Sequence, residues 1–152
     1  ENLSMPHSPT WHNGKLWLLE SGRGSFGFVD FDDNNKFKEV VFIPGYIRGL
    51  QFVNEKYAII GSSHDRHEGM FTGLPLADRL KEQQVDSECG IFVINIELGS
   101  TAHHFTFTKS EDKEKMHIIN EIYDIECLAN CKRTIIKQFA PMDTIDYHIE
   151  EL

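Results

Sequence analysis

A rhythm of short strands and tight reversals constrains this chain more than any other feature. Stretches 15–21, 25–31, 37–43, 50–53, 57–62, 90–96 and 102–108 are rich in β-branched and aromatic residues. Between them stand Asn13-Gly14, Gly22-Arg23-Gly24, Asp32-Asp33-Asn34-Asn35, Asn54-Glu55 and Leu98-Gly99, residue types that accept the backbone angles of a turn. Short strands joined in this way read as consecutive antiparallel hairpins.

The hairpins repeat. Residues 8–45 overlay on residues 47–108 once a long insertion is allowed in the second copy. Ser8-Pro9-Thr10-Trp11, a turn and Leu16-Trp17-Leu18-Leu19 match Arg48-Gly49-Leu50-Gln51-Phe52, a turn and Tyr57-Ala58-Ile59-Ile60. Segment 27–31 then matches 90–96, and 39–43 matches 103–107, completing four strands per copy. A third copy begins at about 121, around Tyr123-Asp124-Ile125. Four antiparallel strands at a period of about 40 residues is the signature of a propeller blade, where small sheets stand radially around a channel. The expected fold is all-β and β-propeller-like, about two four-stranded antiparallel blades plus part of a third, in a single domain 1–152. A two-sheet sandwich of hairpins is the alternative. A closed ring takes at least ~4 blades, so self-association, or pairing with a missing propeller half, is expected. The insertion, 64–88, carries Gly73-Leu74-Pro75-Leu76 and then a short helix of one to two turns over 77–85. Long inserted loops in compact folds often serve as lids or binding loops. Segment 109–115 reads as a charged loop and 134–139 as a further strand.

Size and charge narrow the partners. A chain of 152 residues is one folding unit with room for a core. Its net charge of −9 and its scattered Lys and Arg residues argue against nucleic acid. No stretch approaches the ~18 apolar residues of a spanning helix. Residues 1–12 also lack the layout of a signal peptide, so no membrane partner is expected. Cys89, Cys127 and Cys131 are an odd set in a chain of this size, which fits free thiols in a reducing, cytoplasmic setting.

In a blade of antiparallel strands, the start of the first strand and the end of the second lie at the same face of the disc. Around that mouth, together with Ser8, Ser21, His64 and Asp65, stand His7, Glu20, Arg48, Tyr123 and Asp124. These five form the expected binding site for a small polar or anionic ligand, with Arg48 as the fork for a carboxylate or phosphate. The plainer alternative is that Arg48 pairs with Glu20 or Asp124 merely to neutralise charge. His7, Glu20, His64 and Asp124 are also competent metal ligands. No HxH, HExxH or paired CxxC spacing accompanies them, and no cofactor is indicated. Glu20-Ser21-Gly22 lacks the earlier glycine of a nucleophile elbow. Gly22-x-Gly24-x-x-Gly27 joins two strands instead of opening a helix, so it is no dinucleotide fingerprint. The leading reading is a binding module. Two others stand beside it: a metal-dependent hydrolase of gluconolactonase-like type, its channel metal activating water, or a purely structural assembly domain.

Five separated motifs carry a resemblance: Leu3-Ser4-Met5-Pro6-His7-Ser8-Pro9, Leu18-Leu19-Glu20-Ser21-Gly22, Pro44-Gly45-Tyr46-Ile47-Arg48-Gly49-Leu50, Gly73-Leu74-Pro75-Leu76 and Glu121-Ile122-Tyr123-Asp124. In this order they resemble a bacterial family of unknown function, common in cyanobacteria and proteobacteria and sometimes fused to tetratricopeptide repeats. The resemblance covers most of 3–128. It implies a propeller-like fold, members about twice as long, and further blade-like sequence ahead of the first motif, so that this chain resembles the carboxyl-terminal half. The chain departs from the family pattern at Leu128-Ala129-Asn130-Cys131, where a Pro-Gly turn is usual. The family carries no activity to transfer, though its motif residues His7, Glu20, Arg48 and Asp124 coincide with the expected mouth.

Overall fold

A computed structural model describes residues 3–64, 73–107 and 119–128, together with the backbone of Thr134–Gln138 and Tyr147–Glu151. Eight strands form two sheets of four. Strands β1 (Pro6–His12), β2 (Lys15–Glu20), β3 (Ser25–Asp30) and β4 (Lys36–Phe42) pair in sequence order. Strands β5 (Tyr46–Phe52), β6 (Tyr57–Ser63), β7 (Gly90–Asn95) and β8 (Ser100–Thr106) repeat the arrangement. Every pairing is antiparallel. Strands β9 (Thr134–Gln138) and β10 (Tyr147–Glu151) make a separate antiparallel pair. The chain is thus all-β with one short helix, and neither sheet closes into a barrel.

The two sheets agree in detail as well as in order. In β1 the register shifts between His7 and Thr10, and in β5 between Arg48 and Leu50. Each bulge holds a left-handed residue, Ser8 at φ +50° and Gly49 at φ +70°. The bulges also touch, since the Gly49 N–H donates to Ser8 Oγ at 3.1 Å. The third-to-fourth strand turns use the same device. Asp30 Oδ1 accepts the N–H groups of Asp32 and Asp33, while Asn95 Oδ1 accepts those of Glu97 and Leu98.

Period-2 alternation decides what each sheet buries. Trp17, Leu19 and Phe26 point from the first sheet toward the second, where Ile47, Leu50, Ala58, Ile60, Phe92 and Ile94 complete one buried cluster. Trp17 stacks near Phe26 and meets Phe52 of the second sheet edge-on, with centroids 5.6 Å apart. Strand β1 lies against β5 and β4 against β8, so like strand covers like strand.

Helix α1 (Pro75–Gln83) corrects the expected 77–85: it starts two residues earlier and runs for nine residues. Pro75 occupies the first helical turn, where its missing N–H is no loss. Leu76, 1% exposed, anchors the helix beside Gly24. The first strands also start earlier than expected, at Pro6 and Tyr46. Residues 119–128 run along the second sheet, outside any ladder. The Ile122 N–H donates to Ser63 Oγ at 2.9 Å, and the His64 N–H donates to the Asn120 carbonyl at 2.9 Å. The expected loop 109–115, Asp65 and Cys131 lie outside the described residues. Among the described residues no helix is long and apolar enough to cross a membrane.

Candidate functional site

The bulges fix where the expected site residues stand. His7 and Arg48 each immediately precede the left-handed residue of their strand, so they hold corresponding positions on β1 and β5. Asp124 holds the corresponding place on the next segment. A Cβ at Gly49 would lie 2.6 Å from Ile125 N and 2.9 Å from the Asp124 backbone, so only glycine lets this segment approach. His7, Arg48 and Asp124 therefore occupy one place on three successive segments.

Their surroundings differ. The Arg48 guanidinium lies over the Tyr123 ring, 5.6 Å from its centroid, and no described carboxylate pairs with it. His7 is half-buried, and its Nε2 has no hydrogen-bond partner among the described residues. Burial, reinforced by the Arg48 charge, pushes the His7 pKa below the usual imidazole value, so the ring is neutral at pH 7. Asp124 turns one oxygen to the Ile125 N–H at 2.9 Å. Tyr123 is 61% exposed, and its hydroxyl donates to Glu121 Oε2 at 3.2 Å. The described cluster thus presents an aromatic-backed guanidinium beside a neutral imidazole whose Nε2 is buried.

Glu20 belongs to different surroundings. It is 4% exposed and accepts the Ser4 N–H on Oε1 at 2.8 Å. Arg23 Nε lies 3.0 Å from the same oxygen, within ion-pair range, but its N–H points elsewhere and makes no hydrogen bond. His64 is also held locally, with Nδ1 3.2 Å from Ser87 Oγ. Of the four metal candidates, Glu20, His64 and Asp124 are thus tied to separate neighbours, while His7 Nε2 has no partner among the described residues. Among the described residues no three His, Cys, Asp or Glu side chains converge on a metal-sized position.

The strongest polar cluster escaped the sequence reading. Arg79 of α1 donates to both oxygens of Glu39, Nη1 to Oε2 at 2.7 Å and Nη2 to Oε1 at 2.9 Å. Nη1 also reaches Ser25 Oγ at 2.7 Å and the Arg23 carbonyl at 3.0 Å. The guanidinium lies over Phe42, 4.4 Å from its centroid. Burial alone would raise the Glu39 pKa, but hydrogen bonds from Arg79 and Ser25 outweigh it and hold the carboxyl below its ordinary value. With Leu3, Glu20, Arg23 and Phe37, these residues line a cleft of about 350 Å³. The partners are distant in sequence, so no spacing marks them; the one available signal was an arginine on the inserted helix.

Comparison with the curated proteins and with the solved structures finds no match. Residues 1–136 match the family described as a domain of unknown function (DUF4915), and the chain belongs to that family.

Proposed function

We propose that the chain is a propeller-type binding module whose mouth, at His7, Arg48, Tyr123 and Asp124, takes a small polar or anionic ligand. The observation that carries this reading is the shared position of His7, Arg48 and Asp124 on three successive segments, each segment covering the one before it. Sheets stacked with like strand over like strand are what radial blades require, and a radial arrangement turns corresponding positions into a ring around one axis. In that ring Arg48, which no described carboxylate pairs, supplies a fork for a carboxylate or phosphate, stiffened by Tyr123. The neutral His7 borders the fork without adding charge. Further sheets of such a ring come from a second copy or a pairing half.

Isothermal titration with inorganic phosphate and with acetate tests the reading. Saturable binding by the native chain, weakened at least about tenfold in Arg48→Met, is the expected result. Titrations in which neither anion binds, or in which Arg48→Met binds as the native chain does, remove the mouth as a site.

A further inference from the structure

We infer that the cleft beside Glu20 and Arg23 is a second binding site, separate from the mouth, for small zwitterions of the free α-amino acid type. Glu20 and Ser25 are register partners, as are Gly27 and Glu39. By alternation these residues point away from the face that carries Leu19 and Phe26, so the cleft lies on the side of the first sheet turned from the second. Its volume of about 350 Å³ is at the small end of ligand pockets.

The charges in the cleft are of two kinds. Glu39 and Arg79 are matched to each other through two hydrogen bonds and leave no unmet demand. Arg23 and Glu20 form an ion pair, Nε 3.0 Å from Oε1, but share no hydrogen bond. The Nε of Arg23 is buried without an acceptor among the described residues, while the rest of the side chain, 41% exposed, meets solvent. Glu20 gives Oε1 to the Ser4 N–H, while no described donor reaches Oε2. Oε2 is thus the oxygen of this carboxylate that a donor entering the cleft can reach.

Two carboxylates and two guanidiniums make the cleft electrically balanced. A purely anionic ligand meets Glu20 and Glu39, and a purely cationic one meets Arg23 and Arg79. A ligand carrying both signs matches the ion pair at its open side: its carboxylate takes the solvent-facing end of the Arg23 guanidinium, and its ammonium takes Glu20 Oε2. Leu3 and Phe37 form an apolar wall for a side chain such as that of leucine.

Isothermal titration with L-leucine, butyrate and butylamine tests this. Leucine is expected to bind saturably, with the two singly charged probes weaker by about tenfold or more. Arg23→Gln and Glu20→Gln should each reduce leucine affinity to a similar degree with the circular dichroism spectrum unchanged. Arg23→Gln breaks no hydrogen bond of the described fold, so it remains informative where Glu20→Gln unfolds. Arg48→Met should leave leucine binding intact, which separates this site from the mouth. The inference is overturned by absence of leucine binding, by butyrate binding as well as leucine, by undiminished binding in Arg23→Gln, or by loss of binding in Arg48→Met.

Discussion

A single imidazole gives the mouth a pH signature. His7 is more easily protonated in the unfolded chain than in the folded one, because burial and Arg48 both oppose its charge. Above the unfolded value, about 6.5, both states are neutral and His7 leaves stability untouched. As pH falls through that value toward the lower folded pKa, the unfolded state binds more protons and stability declines. Urea midpoints measured between about pH 7.5 and pH 5 should therefore fall with pH, and His7→Gln should flatten that limb. A slope that His7→Gln leaves unchanged would assign the effect to other groups.

At the scale of elements, α1 is held to the first sheet by one arginine and one leucine, although it is inserted between strands of the second sheet. The Arg79 fork favours ionised Glu39, whose folded pKa is depressed. Its contribution is present above the ordinary carboxylate value and is lost as pH falls through the folded one. Both side chains keep some solvent contact, 25% for Arg79 and 38% for Glu39, which screens the pair. A double-mutant cycle of Arg79→Met and Glu39→Gln should give a coupling of roughly 1 kcal/mol. Hydrogen exchange in α1 should quicken in either single variant. Unchanged exchange in both would mean that Leu76 alone seats the helix.

For the whole molecule, the decisive feature is that the two sheets share one apolar cluster. Neither can lose its packing without exposing the other. Phe26, fully buried against that cluster, should cost about 3–5 kcal/mol on replacement by alanine. The sheets should then unfold together at a lower urea concentration. In a Trp11→Phe background, Trp17 fluorescence reports the interface while far-ultraviolet circular dichroism reports the strands. Coincident transitions are expected, and a Trp17 transition well ahead of the strand signal would show that the sheets are independent.

The strands and their order were legible in the residues alone, because alternation, β-branched residues and turn residues act over a few positions along the chain. Asn13-Gly14, Asp30 and Asn95 mark reversals through contacts no further than the next few backbone groups. Local signals of this kind also brought His7, Arg48 and Asp124 into one frame. Only the tertiary structure separated Glu20 from them and joined it with Arg23, Glu39 and Arg79 around a cleft. Arg79 and Glu39 are 40 positions apart, and their meeting depends on where an inserted helix lands on a neighbouring sheet. No periodicity encodes that landing. It follows from Leu76 finding a buried place beside Gly24, a matter of shape complementarity between surfaces that exist only once both sheets have formed.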